Sequence, residues 1–182
     1  MIFEPTRIEG LWKIGIERHI DNRGSFGRLF CRDEFSARGL CADFVQMNSS
    51  RTARAGTVRG MHLQLPPHME VKLVRCIRGA IEDVVCDLRS ASPSYLQKES
   101  FVLDADDDRL LYIPTGCAHG FQTLTDDVEV FYAMSHVFSP GSGTGIRFDD
   151  PALNIVWPLP VTCISQQDRT WPPYRAAAFS LP

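Results

Sequence analysis

Short apolar runs recur along the chain, cut by Gly, Pro, Asp and Ser, which is the pattern of β-strands joined by turns. The clearest are Lys72 to Ile77, Ala80 to Leu88, Ser100 to Leu103, Arg109 to Ile113 and Val128 to Ser135. Arg78-Gly79 between the first two predicts a tight hairpin turn. Glu82 to Leu88 partly alternates, as a half-buried strand should. In the last run, alternation puts Val128, Val130 and Tyr132 on one face and Glu129 and Phe131 on the other. Helical signal is scarce. Asp33 to Leu40, closed by Gly39, predicts one short helix, and Pro151 to Leu153 one helical turn. From Trp171-Pro172-Pro173-Tyr174 onward the chain reads as a loosely structured tail. Many short strands with little helix predict an all-β sandwich or barrel, with spacing that suits a jelly roll.

At 182 residues the chain is expected to form one domain, 1–182, large enough to bury a full core. Apolar residues make up 44% and charged residues 23%, the composition of an ordinary globular domain. A net charge of −3 argues against a general nucleic-acid binder but leaves room for a local basic pocket. No apolar run approaches the ~20 residues of a membrane span, and the N-terminus lacks the pattern of a secretory signal. Cys31, Cys41, Cys76, Cys86, Cys117 and Cys163 contain no CxxC pair. They are expected to be reduced core thiols in a cytoplasmic protein.

The densest chemistry is in Val58-Arg59-Gly60-Met61-His62-Leu63-Gln64, followed by Lys72 and later by Pro114-Thr115-Gly116-Cys117-Ala118-His119. A His after an Arg-Gly pair, with a Lys ten residues on, suits an anionic substrate that loses a carbon-bound proton. Taken alone, His62 reads as a satisfied buried histidine, Lys72 as a surface lysine and Tyr132 as a core aromatic.

Motifs in a fixed order add to this reading. They include Asp21-Asn22-Arg23-Gly24-Ser25-Phe26, Phe44-Val45-Gln46-Met47-Asn48, Arg59-Gly60-Met61-His62 and Lys72-Leu73-Val74-Arg75. Asp87-Leu88-Arg89, Ala118-His119-Gly120-Phe121, Phe131-Tyr132, Gly145 to Pro151 and Ile164 to Asp168 follow. From about residue 3 to residue 174 the chain resembles the RmlC-like sugar-nucleotide epimerase family, whose fold is a cupin jelly roll or double-stranded β-helix.

The resemblance implies proton abstraction beside the ketone of a nucleoside-diphosphate 4-keto-6-deoxyhexose, inverting C5, C3 or both, without a cofactor. It implies His62 as base, Asp168 as its orienting carboxylate, Lys72 beside the enolate oxygen and Tyr132 as the acid on the opposite face. Arg59 and Arg23 resemble diphosphate contacts; His119 resembles a second imidazole of the sugar site, and Gln46 and Asn48 polar ligands. The segment with Arg23 and Phe26 would reach a neighbouring subunit's pocket, so residues 1–30 are expected to dimerise the protein, with residues 170–182 as the tail.

Departures from the family pattern cluster in the expected nucleotide pocket. Arg28 stands where dTDP-linked members carry a glutamate toward the base, and can donate to cytosine N3. CDP is therefore a candidate carrier beside dTDP. Val137-Phe138 replaces a Tyr-Tyr pair, and Glu70-Val71 a Gln-Gly pair before Lys72. His62-Leu63-Gln64 breaks the His-x-His pair of metal cupins. His62, Glu70 and His119 make a conceivable two-His-one-carboxylate set, but Lys72 and Arg59 would oppose a cation, so a metal-free pocket is expected. A ketoisomerase and a non-catalytic sugar-nucleotide binder are the competing readings.

Overall fold

The structure is a computed structural model that describes residues 1–179 and 181. The early strands are β1 (Ile2–Pro5), β2 (Trp12–Gly15), β3 (Arg18–Asp21), β4 (Gly24–Gly27), β5 (Gln46–Thr52), β6 (Thr57–Gln64) and β7 (Lys72–Arg78). They are followed by β8 (Ala80–Asp87), β9 (Lys98–Asp104), β10 (Arg109–Ile113), β11 (Cys117–Thr123), β12 (Val128–Met134), β13 (Gly143–Gly145) and β14 (Cys163–Ile164). Helices α1 (Arg32–Ser36) and α2 (Gln166–Thr170) are each one turn or little more. The expected strands are present, with ends that differ from the expected ones by no more than two residues.

One sheet has the order β1-β2-β10-β7-β12-β5, the other β13-β6-β11-β8-β9, with β14 added parallel to β6. The two face each other as a jelly roll. Alternate residues of both supply the shared core, including Val74, Cys76, Ile81, Val85, Leu111, Phe121 and Val130. The other faces are covered too. Phe35 of α1 and Phe3 pack over Leu73, Leu110 and Tyr112 on the first sheet. Ile146, Leu153, Trp157, Phe179 and Leu181 cover Val84, Cys86 and Leu88 on the second.

This outer cover corrects two expectations. β8 is not half-buried: every residue except Glu82 is buried, because the C-terminal segment lies across its outer face. The tail from Trp171 is not loose either. Tyr174 donates its N–H to Asp150 (2.7 Å), its hydroxyl meets that of Tyr95 (2.7 Å), and Phe179 and Leu181 are buried.

The helix expected over Asp33 to Leu40 is confined to Arg32–Ser36. Gly39, at φ 69°, ends it: its N–H returns to the Ser36 carbonyl and the Leu40 N–H to that of Phe35. Residues 151–153 form turns, not a helix. Gly79 turns the β7–β8 hairpin at φ 69°, where a Cβ would come within 2.4 Å of Thr125 Oγ1. All six cysteines are free, but only Cys76, Cys86 and Cys117 are buried. Burial pushes these thiols up to about 11, 12 and 12, so they are inert packing groups. Cys163, expected in the core, is exposed.

β3 and β4 pair only with each other and stand apart from both sheets. Ile20 is 83% exposed on this hairpin and Phe26 71%. Among the described residues no helix is long and apolar enough to cross a membrane.

Candidate active site

The two sheets enclose a cavity of about 860 Å³ that opens at one end of the roll. β6 supplies Arg59, His62 and Gln64, β7 supplies Lys72, and β11 supplies His119. From the facing strands come Gln46 and Asn48 of β5 and Tyr132 of β12. Inward alternation along β12 is what turns Tyr132 to the cavity and Phe131 to the outer core.

Asp168 enters from α2. Ser165 caps this helix by accepting from the Asp168 N–H (3.0 Å), which fixes the carboxylate behind β6. Asp168 Oδ1 lies 2.5 Å from His62 Nε2, and Oδ2 accepts from the Gly60 N–H at 3.4 Å. Burial pushes the Asp168 carboxyl up, but its hydrogen bond and charge attraction to His62, with the Gly60 contact, hold it below its ordinary value. An ionised Asp168 accepts from Nε2–H, which leaves the lone pair of His62 on Nδ1. Gly60 lets β11 pack closely against β6 beside this dyad. At φ 140°, a Cβ there would come within 2.4 Å of the Gly120 Cα on β11.

Lys72 is drawn inward, not left at the surface. Its side chain is 10% exposed, and Nζ lies 3.1 Å from Glu70 Oε1 and donates to the His62 carbonyl at 3.1 Å. An ammonium has three donors, so one remains for a ligand. Glu70, expected at most as a metal ligand, is instead the buried counter-charge of Lys72. It also accepts from the Gln64 N–H (3.1 Å). His119 Nε2 lies 2.8 Å from Asp83 Oδ2, and Asp83 is wholly buried. The set His62, Glu70 and His119 is thus committed to protein partners, and among the described residues no group of metal-binding side chains is gathered.

Burial raises the Tyr132 phenol above its ordinary value, with the Arg59 cation opposing. Arg59 Nε donates to Thr52 Oγ1 (3.0 Å). Gln46 and Asn48 are joined to each other at 3.1 Å and both contact Met134 Sδ.

Three expected ligand residues lie elsewhere. Arg23 and Phe26 are on the β3–β4 hairpin, where Arg23 pairs with Asp21. Arg28, just past β4, pairs with Glu34 at 2.9 Å. None lines the cavity of its own chain. Conversely, Asp83, Gln64 and Trp171 shape the site without having been expected as site residues. Asp83 sits in a strand whose sequence carries only a burial signal, and its partner is fixed by β8–β11 pairing.

Comparisons with known proteins match the fold along nearly the whole chain. The dTDP-4-dehydrorhamnose 3,5-epimerase family matches residues 5–176. The enzyme of that name from Methanothermobacter thermautotrophicus is 39% identical, over 95% of this chain and 94% of its own. A dTDP-4-dehydrorhamnose 3,5-epimerase from Bacillus anthracis, solved with TDP and PPi bound, superposes with a TM-score of 0.91 at 34% identity, covering 95% of this chain and 99% of that one. A 3'-monoepimerase from Streptomyces bikiniensis, solved with dTDP-quinovose, gives 0.85 at 32% identity, covering 95% and 87%. A cupin-type jelly roll with this cavity, matched along nearly its whole length, is an isomerase-class epimerase: the chain belongs to the dTDP-4-dehydrorhamnose 3,5-epimerase family.

Proposed function

We propose that this enzyme epimerises a nucleoside-diphosphate 4-keto-6-deoxyhexose, at C3, C5 or both, with dTDP as the carrier. The observation that carries the reading is the opposition of two groups across one cavity: the His62–Asp168 dyad on one sheet and the Tyr132 phenol on the other.

His62 Nδ1 takes the proton from a carbon beside the ketone. The C–H electron pair moves into the ring to give an enolate, with its charge on the former carbonyl oxygen. The free N–H of Lys72, whose side chain is buried, stabilises that charge, and a fixed buried donor is worth more than one in solution. Tyr132 then delivers its proton to the other face of the same carbon, which inverts the centre; the tyrosinate regains a proton from solvent and the imidazolium of His62 releases its own to solvent. Asp168 holds the imidazole and balances the imidazolium.

The dTDP carrier follows the ligands named for the relatives. The CDP alternative rests on Arg28, which is paired with Glu34 outside this chain's cavity and bears on the base only through a second subunit. We propose such a homodimer, with the exposed apolar β3–β4 hairpin reaching the neighbour so that Arg23 and Phe26 complete its pocket.

The test is turnover of dTDP- and CDP-linked 4-keto sugars in heavy water by wild type and His62→Asn. Deuterium enters the inverted carbon with wild type, and the variant loses about 10²–10⁴ in rate. A variant that still exchanges at the wild-type rate removes His62 from the base role. A preference for CDP overturns the carrier alone.

A further inference from the structure

Residues 136–142 form one wall of the cavity without joining either sheet, and Phe138 presents its ring from this wall near the opening. Gln64, two residues beyond His62 on the same face of β6, is 3% exposed. Its amide NH₂ donates to the carbonyls of His68 (3.0 Å) and Val137 (3.3 Å), and its amide oxygen accepts from the Ser139 N–H (2.6 Å). Gln46 Oε1 accepts from the neighbouring Phe138 N–H at 2.9 Å. Two side-chain amides therefore take consecutive backbone N–H groups of the wall.

A third link lies beside them. His136 Nδ1–H donates to the Val137 carbonyl at 2.8 Å, which leaves its Nε2 to accept from His68 Nδ1–H at 3.2 Å. Gln64 is the point where these links meet. Both of its donors and its acceptor are spent on the two segments that close the cavity, and its own N–H anchors Glu70. A buried primary amide is costly unless all its groups are paired. Here the pairing serves the wall, and an apolar residue of the same size would fill the space without holding it.

We propose that Gln64 is a positioning residue: it fixes the segment carrying Phe138 against the cavity and so sets affinity for the nucleotide end of the substrate. The reactive groups His62, Lys72 and Tyr132 keep their own hydrogen bonds and packing, none of which passes through the Gln64 side chain. A flat aromatic ring held at the mouth suits a planar base, and held loosely it would spend part of that contact on ordering. This inference rests on reading the cavity as a nucleotide-sugar site.

The test uses Gln64→Met, which keeps the volume but no hydrogen bonds, and Gln64→Glu, which keeps the acceptor for Ser139 but faces two carbonyls without a donor. KM for the nucleotide 4-keto sugar and Kd for free dTDP rise about tenfold in both, so that kcat/KM falls through KM and deuterium wash-in at saturation moves by less than about twofold. A lower kcat at unchanged KM, or no change in either constant, overturns the proposal. The wild type supplies a second measure that does not depend on a variant folding. The Phe138 and Ser139 amides exchange slowly with solvent, and exchange at the rate of an open chain overturns the strap. Wild type that binds neither dTDP nor CDP removes the reading of the cavity itself, whereas intact wild-type binding with an unaltered Gln64→Met removes this inference alone.

Discussion

Glu70 Oε1 and Lys72 Nζ lie 3.1 Å apart on the cavity wall, with side chains only 4% and 10% exposed. The two charges offset each other, and Lys72 keeps one uncommitted donor. Lys72→Met should strand the Glu70 carboxylate and destabilise the fold by about 3 kcal/mol, as loss of one partner of a buried ion pair does. Adding Glu70→Gln should restore most of that stability and none of the turnover. Urea unfolding beside a turnover assay separates the two effects. Equal stability of the single and double variants would mean that the pair is not coupled.

Asp168 makes stability depend on acid. Its carboxyl lies below the ordinary value in the folded protein, so its contribution is present above the ordinary carboxylate range. That contribution drains away as pH falls through the depressed folded value. Melting temperature followed from about pH 7 to about pH 3 should fall more steeply for wild type than for Asp168→Asn. Parallel curves would show that His62 does not hold the charge.

Tyr132→Phe separates proton removal from proton return. The buried phenol keeps its proton to higher pH than an ordinary tyrosine, so the alkaline limb of wild-type turnover that it sets should lie above the ordinary tyrosine range. The phenylalanine variant should still wash deuterium in from the His62 face while net inversion falls by about 10² or more. Inversion at the wild-type rate would assign the acid elsewhere.

The β3–β4 hairpin carries exposed Ile20 and Phe26 and touches neither sheet by strand pairing. Sedimentation of wild type should give a dimer, and of Ile20→Asp/Phe26→Asp a monomer with weakened substrate binding. A monomeric wild type at about 10 µM would remove the arm-exchange proposal.

Much of the site is visible in local pattern. Period-two alternation placed Tyr132 on the face shared with Val130, and the structure turns that face into the cavity. Gly79 announced its hairpin because a turn at positive φ favours glycine. Glu82 to Leu88 misled for a related reason. Alternation reports which residues could face water, but the cover laid over β8 comes from residues near 146–181, which no window around β8 contains.

The sequence by itself determined the strand-rich class, the positions of most strands and which residue types could carry acid, base and positive charge, because these follow from side-chain period and chemistry. Tertiary structure decided the pairings. His62 meets Asp168 across 106 positions, His119 meets Asp83 across 36, and Gln64 meets Ser139 across 75. A hydrogen-bond partner is chosen by where strands cross and which backbone can approach, as at Gly60 against Gly120, and that choice exists only once the sheets have closed on each other.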